Sequence, residues 1–176
     1  MVTAMSSSSK NTDKKLAKLI ASAIFGALLT VLQIAFSPLP NIEPVTVLLL
    51  VFGCVLGKYA FISLGVFIAA EGLIFGFGIW WISYLYIWII PVVAAMLFKN
   101  VKSFLPFTAF SALFGLLFGT LGAIPYLFIG GFAYTVSYIA AGIPFDIIHC
   151  VSNAVMTAIL FTPLRKLLEK LEAKHL

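Results

Sequence analysis

Apolar residues run almost without interruption from Leu16 to Leu164, and only short polar, glycine or proline breaks divide the run. A stretch of about 20 apolar residues is long enough for a helix that crosses the hydrocarbon layer of a membrane. The breaks therefore predict an all-α integral membrane protein with six transmembrane helices. We expect these helices at about residues 13–36, 45–56, 59–75, 80–98, 104–122 and 144–174.

The breaks between the predicted helices differ in kind. Three prolines within residues 37–44 cannot continue a helix, whereas Gly57-Lys58, residues 76–78 and residues 99–102 are short glycine-rich or polar turns. Residues 123–143 contain a proline and several glycines among aromatic side chains. They predict a broken or re-entrant segment across one mouth of the bundle, because non-helical backbone at membrane depth must pack on protein or line a cavity.

The composition supports a membrane protein with little aqueous surface. Hydrophobic residues make up 62% of the chain and charged residues 10%, whereas a soluble domain carries roughly 25% charged residues. Such a chain cannot cover a globular surface with polar groups. We therefore expect a single membrane domain, residues 14–176, behind a short disordered cytoplasmic tail, residues 1–13.

The distribution of positive charge predicts the orientation. With six crossings, all of the basic residues fall on one side of the membrane: Lys10, Lys14, Lys15, Lys18, Lys58, Lys99, Lys102, Arg165, Lys166, Lys170 and Lys174. Basic loops mark the cytoplasmic side. We therefore expect a multi-pass protein of the bacterial plasma membrane with both termini in the cytoplasm. The net charge of +5 then reflects loops that face lipid headgroups, and it gives no reason to expect a nucleic acid as partner.

Three ionisable side chains, Glu71, Asp146 and His149, lie within apolar sequence. A charged group in hydrocarbon costs about 2.5–3.5 kcal/mol on insertion scales, so each is expected to face the bundle interior or a water-filled cavity. Asp146, His149 and Asn153 are spaced three and four residues apart, which puts them on one face of the last helix. The predicted topology brings this face and Glu71 to a similar depth near the outer mouth.

Aromatic residues predicted at the same depth complete a candidate substrate-binding site. The further members are Gln33, Trp80, Trp81, Tyr84, Tyr134 and Tyr138. Stacking rings with a few polar groups suit a small flat heterocycle, and two carboxylates favour one that carries an amine or a positive charge. Other readings stay open: the rings form an interfacial belt, Asp146 balances a helix dipole, and His149 bonds between helices. Glu43 is interpreted as a solvated loop residue that could gate the mouth.

The sequence contains no motif of catalysis, of metal binding or of nucleotide binding, so we expect no enzyme and no cofactor. Cys54 and Cys150 are interpreted as reduced packing residues. Uphill transport would then need a partner that hydrolyses ATP. Ala23 and Ala27 are four residues apart on the first helix, and such small pairs allow close helix approach in lipid. They serve either as a docking surface or in packing within the bundle.

The chain resembles the substrate-binding S component of an energy-coupling factor (ECF) vitamin transporter over about residues 14–172. The resemblance rests on the six-helix layout, on the basic start before Ala23-x-x-x-Ala27, and on Gly130-Gly131 followed by Gly142-Ile-Pro-Phe-Asp-Ile-Ile-His149. It implies capture of a vitamin or related micronutrient at the outer face. It also implies a membrane T component, docked at Ala23 and Ala27, and two cytoplasmic ATPases as partners. The loop at residues 37–44 would gate the pocket.

The pocket residues match no one vitamin subfamily, and candidates include a thiamine precursor, a pyridoxine-type vitamer or a queuosine precursor. Two other classes remain as alternatives. A structural protein of the rod-shape-determining type has similar length and crossings, but it has no need of a polar and aromatic cluster. A passive small-solute facilitator requires a continuous polar path, and the cytoplasmic halves of the second, third and fourth helices offer few polar residues to line one.

Overall fold

The protein is described by a computed structural model that covers the backbone of residues 2–175 and the side chains of residues 12–174. This part of the chain consists of helices and connecting loops, without a strand. The helices are α1 (Val2–Phe36), α2 (Val45–Leu56), α3 (Ala60–Phe75), α4 (Ile79–Ile87), α5 (Ile89–Leu97), α6 (Leu105–Gly122) and α7 (Ile124–His175), with a 3₁₀ turn at Gly57–Tyr59. The expected tail, residues 1–13, falls almost wholly outside the described side chains and stays a prediction.

Several helical stretches are long and apolar enough to cross a membrane. Among the described residues there are five, namely Thr12–Phe36, Val45–Phe75, Ile79–Leu97, Leu105–Gly122 and Ile124–Lys174. The all-helical class and the apolar spans agree with the sequence prediction. The count is five and not six because α2, the 3₁₀ turn and α3 follow one another without a gap as one helical stretch, Val45–Phe75, although Gly57 has the non-helical φ of 57° and ψ of −126°.

Two predicted segments differ from the structure. The helix expected at about residues 80–98 is divided into α4 and α5 by a bend at Trp88. Pro91 explains the bend, because it cannot donate a hydrogen bond to the carbonyl four residues earlier, at Ile87. The segment expected to be broken or re-entrant, residues 123–143, is broken at Gly131, where φ is 74° and ψ is −178°, but from Ile124 onward it is helical on both sides of that break. Pro144 accordingly lies inside α7 and not at its start.

The break at Gly131 joins the two arms of a long antiparallel helical hairpin. Phe107 on α6 stacks on Phe161 of α7 with ring centroids 4.2 Å apart, and Tyr126 lies 4.6 Å from Tyr138 near the turn. Pairing of the arms therefore extends from residue 107 to beyond the end of α6. Only a residue that tolerates positive φ can make such an abrupt reversal, which is why glycine occupies position 131.

Helix α2 forms the centre of the bundle. All of its residues except Cys54 and Val55 are buried. Gly53 explains how closely α5 approaches, because a Cβ atom at Gly53 would lie 2.8 Å from the carbonyl oxygen of Val92. By contrast, α1 and α7 expose many large aliphatic side chains, such as Ile24 and Ile159, as expected for lipid-facing helices.

Among the described residues, the basic side chains that form ion pairs, hydrogen bonds or ring contacts lie at one end of the bundle. Lys18 pairs with Glu172 at 2.5 Å, and Lys18 and Lys58 both lie over the ring of Tyr59. On α7, Arg165 donates hydrogen bonds to the carbonyls of Lys99 and Val101 in the loop before α6, at 2.6 and 2.7 Å. These contacts tie together α1 at Lys18, the turn after α2, the loop before α6 and the end of α7. We call this end of the bundle the basic end.

Candidate ligand-binding site

A cavity of about 320 Å³ lies at the end of the bundle opposite the basic end. Small-molecule sites in proteins range over about 300–1,000 Å³. The end of α1 and most of residues 36–43 line one side of the cavity, and α3, α4, the Trp88 bend, α6 and α7 line the other. Five helices and one loop therefore enclose the cavity. The loop is residues 37–44, whose prolines prevent a helix.

Aromatic rings form a continuous wall of this cavity. Trp80, Tyr84 and Trp88 are four residues apart, so α4 and its bend present them on one face. Their neighbouring ring centroids are 5.1 and 5.6 Å apart, in edge-to-face geometry. Phe118 continues the wall at 5.4 Å from Trp88 and 4.9 Å from the His149 ring. A flat ligand ring can stack or make edge contacts against such a wall.

Two buried carboxylates also line the cavity, and their environments differ. Glu43 is 7% exposed and has three bonds: it accepts the Thr46 N–H at 2.8 Å, the Thr46 hydroxyl at 2.5 Å and the His149 Nε2–H at 3.1 Å. Glu71 is 3% exposed, and its Oε1 has no hydrogen-bond partner within the described part of the chain. Glu43 is thus held in place by its partners, whereas Glu71 presents an unpartnered acceptor.

Four residues that line the cavity carry a buried polar atom without a partner among the described residues. The atoms are Gln33 Oε1, Glu71 Oε1, Trp88 Nε1 and His149 Nδ1. Because His149 donates through Nε2 to a carboxylate, its Nδ1 is an acceptor when the ring is neutral. Buried polar groups are nearly always satisfied, so this set indicates groups that a bound molecule would complete. Three acceptors and one donor favour a ligand rich in N–H or O–H groups.

A polar layer continues from the cavity into the bundle. Asn153 donates from its amide nitrogen to the Thr46 hydroxyl and to the carbonyl of Ser111, both at 3.3 Å. The Ser111 hydroxyl donates back to the carbonyl of Asn153 at 3.2 Å. Through Thr46 this layer joins the Glu43–His149 pair, so α2, α6 and α7 are cross-linked beneath the cavity.

The structure brings five of the ten predicted substrate-binding residues to the cavity: Gln33, Glu71, Trp80, Tyr84 and His149. Two others lie close behind it. Trp81 donates its ring N–H to the carbonyl of Ile68 at 2.9 Å, so it braces α4 against α3. Asn153 belongs to the polar layer and is 1% exposed.

The remaining three predicted residues have other surroundings. Asp146 is buried and accepts the N–H of Gly119 at 2.9 Å, which fixes α7 against α6. Tyr134 and Tyr138 are exposed and pack around Tyr126 near the Gly131 turn. None of the three lines the cavity.

The interpretation of Glu43 as a solvated loop residue is wrong, since it is buried and paired with His149. The sequence offered one signal: an acid just before the first turn of α2 can accept a backbone N–H there. Trp88 and Phe118 also line the cavity and were missed. Trp88 extends the four-residue spacing of Trp80 and Tyr84, so its face could have been predicted, whereas Phe118 depends on how α6 packs.

The cavity is acidic and aromatic, and no lysine or arginine of the described part of the chain lines it. The described residues also contain no group of histidine, cysteine and acidic side chains that could hold a metal ion. The arrangement can therefore bind a small planar molecule that bears a positive charge or several hydrogen-bond donors. Comparisons of this chain with protein-family models, with curated proteins and with solved structures found no match.

Proposed function

We propose that this protein is the membrane substrate-binding subunit of an ECF-type importer, and that it captures a small heterocyclic micronutrient with an amine or a positive charge. The single observation that carries the proposal is the unpartnered carboxylate of Glu71 inside an aromatic cavity. A buried carboxylate without a partner is costly, so a cationic or donor-bearing ligand would supply the missing interaction. Stacking on the aromatic wall and cation–π attraction would add to it.

A six-pass arrangement with both termini in the cytoplasm belongs to the same proposal. Glu43, just before α2, and Phe75, at the end of α3, line the same cavity, so the chain direction reverses between them. Gly57 provides the turn, and Lys58 next to it lies at the basic end. Counting α2 and α3 as two crossings gives six. The positive-inside tendency then turns the basic end to the cytoplasm and the cavity to the outside.

The two alternative classes receive less support from the cavity. A scaffold of the rod-shape-determining type has no use for an unpartnered acid among stacked rings. A facilitator needs a continuous polar path through the bundle, yet the interior beyond the Thr46 layer is mainly apolar, with side chains such as Leu49, Leu50 and Phe67 and a few buried serine and threonine hydroxyls. Capture at one face, followed by delivery with energy from partner ATPases, fits this interior better.

The proposal is tested by native mass spectrometry of the purified protein, followed by measurement of the affinity for the molecule that co-purifies. We expect a heterocyclic amine or cation in the wild-type protein. Glu71→Gln should weaken its binding about tenfold or more, because one charge-assisted bond, worth about 1.5–3 kcal/mol, is reduced. Quenching of Trp80 and Trp88 fluorescence provides the titration signal.

The matched control is Asp146→Asn, which removes a second buried acid that does not line the cavity. This variant should keep the wild-type affinity and lose only stability, through the weakened bond to Gly119. An anionic or lipid-like co-purifying molecule, or equal affinities of the Glu71→Gln variant and the wild type, would reject the proposed ligand class.

A further inference from the structure

The α6–α7 hairpin is longer than a bilayer is thick. Arg165, held to the loop before α6, marks its basic end. From there about 20 helical residues, or about 30 Å, cross the hydrocarbon layer and bring α7 to about residue 145. The same distance along α6 from Leu105 ends at about residue 124. Residues 124–143, which we call the tip hairpin, therefore extend further, by about 10 Å along the first arm (residues 124–130) and about 18 Å along the second (residues 132–143).

The surface of the tip hairpin is unsuited to water. Residues 103–145 contain no charged side chain and no histidine. Phe128 is 84% exposed and Phe132 is 76% exposed, one on each side of the Gly131 turn. Apolar patches of this kind on a protein surface mark contact with a protein or a membrane.

The threonine and the serine of the tip hairpin are satisfied within their own helix. Thr135 donates its hydroxyl hydrogen to the carbonyl of Gly131 at 3.0 Å, and Ser137 donates to Ala133 at 2.9 Å. Such bonds to the carbonyl four residues earlier allow serine and threonine to lie in lipid, where water cannot satisfy them. Tyrosines, here Tyr134 and Tyr138, are enriched at the boundary between headgroups and hydrocarbon.

The second arm of the hairpin carries a residue that permits bending. Pro144 lies inside α7, two residues before Asp146, which accepts the N–H of Gly119. This proline removes one backbone hydrogen bond from its helix, which lowers the cost of a bend. On the first arm, Ala123 separates the end of α6 from the start of α7. The tip hairpin can therefore incline toward the membrane plane while the rest of the bundle stays upright.

We propose that the tip hairpin lies in the lipid leaflet opposite the basic end, with Phe128 and Phe132 among the acyl chains. The occupant of this surface is lipid and not a second protein, because the surface is apolar on both arms, free of charge and without an unsatisfied hydroxyl at Thr135 or Ser137. This proposal needs only a membrane protein and is independent of what the cavity binds.

The test is electron paramagnetic resonance of the full chain in liposomes of phosphatidylcholine and phosphatidylglycerol. Phe128→Cys and Phe132→Cys, in a background with Cys54→Ala and Cys150→Ala, carry a nitroxide label. Collision rates with oxygen, which concentrates in lipid, are compared with those of a water-soluble nickel chelate. Leu113→Cys on the exposed face of α6 serves as the lipid control, and Asn100→Cys on the basic loop serves as the water control.

We expect the ratio of oxygen to nickel collisions at positions 128 and 132 to match position 113 and to exceed position 100 several-fold. A ratio like that of position 100 would place the tip in water and overturn the proposal. Low collision rates with both reagents would place it against protein and overturn it equally. Because both positions are exposed, their substitution removes little packing, and an unchanged melting temperature verifies the fold of each variant.

Discussion

Two glutamates illustrate how much a single residue's role depends on its partners. Glu71 was predicted as a pocket residue because an acid in the middle of an apolar helix has no cheap structural explanation, and the structure places it on the cavity. Glu43 carried no such signal, since it lies in a proline-rich loop. Glu43 is buried against His149, which is more than 100 residues away in sequence. Only the tertiary packing of the helices brings the two residues together.

Replacement of Glu43 is expected to destabilise the protein strongly. Glu43→Ala leaves the Thr46 N–H and the His149 imidazole without their acceptor, and each buried donor left unsatisfied costs about 1–3 kcal/mol. Glu43→Gln should cost less, because the amide oxygen still accepts from Thr46. Thermal unfolding in detergent, followed by circular dichroism, measures both variants.

Glu169→Ala is the control for this series. Glu169 is half exposed and pairs with Arg165 within one helical turn, which is worth about 0.3–0.5 kcal/mol. If Glu43→Ala and Glu169→Ala unfolded at the same temperature, the buried pair would contribute nothing to stability.

At the scale of elements, the helix ends that prolines or glycine turns determine were predictable from the sequence. The helical state of segments that depend on packing between helices was not. The prolines in residues 37–44 and the Gly57-Lys58 turn gave the bounds of α2 as the structure has them. Several glycines and prolines in residues 123–143 suggested a disrupted segment, yet only Gly131 departs from helical geometry. The other glycines and prolines of this segment remain in helix because α6 and α7 pack against each other. This tertiary contact outweighs the low helix propensity of glycine and proline.

The glycines of α6 explain that packing. A Cβ atom at Gly115 would lie 2.7 Å from the carbonyl oxygen of His149, and one at Gly119 would lie 2.6 Å from the Asp146 carboxylate. These two glycines are four residues apart, the spacing at which helices approach closely in membranes. The sequence contained this pattern, but only the structure shows that it faces α7.

Gly115→Ala is accordingly expected to destabilise the protein by about 1–3 kcal/mol, since the new methyl group meets backbone atoms that cannot move aside cheaply. It should also displace His149 and so weaken ligand binding. The matched control is Gly65→Ala in α3, where a Cβ atom would meet nothing within 4 Å. That variant should equal or exceed the wild type in stability, because alanine favours the helix by about 1 kcal/mol. The unfolding temperatures of the two variants test this prediction. If both variants lost the same stability, Gly115 would have no specific role in the contact between α6 and α7.

At the scale of the whole molecule, charge and apolar length indicated a polarised membrane protein before any contact was known. The basic residues with resolved partners indeed gather at one end, and the cavity lies at the other. What the sequence could not provide is the length of the α6–α7 hairpin, because the pairing of its arms depends on contacts along both of them, such as Phe107 with Phe161 and Tyr126 with Tyr138. The molecule thus has three distinct outward features: the basic end, the cavity mouth and the tip hairpin.

The exposed face of α1 is the surface on which the proposed partnership with a T component can be tested. Gly26 faces inward, since a Cβ atom there would lie 2.5 Å from the carbonyl oxygen of Ser63, whereas Ala27 is exposed and Ala23 is half-buried. Because Ala27 points away from the bundle, Ala27→Trp should fold and keep its affinity for the co-purifying molecule. It should nevertheless reduce uptake to background in cells that also produce the coupling subunits, because the bulky ring prevents close helix approach.

The double variant Ala23→Leu/Ala27→Leu should behave like Ala27→Trp, and Ile159→Trp on the exposed face of α7 provides the control for a bulky ring facing lipid. That control should retain both binding and uptake. Ligand affinity and cellular uptake must be measured on the same variants, because the two quantities separate docking from packing. Loss of affinity in Ala27→Trp would show that α1 packs within the bundle at this position, and normal uptake would show that the partner binds elsewhere on the molecule.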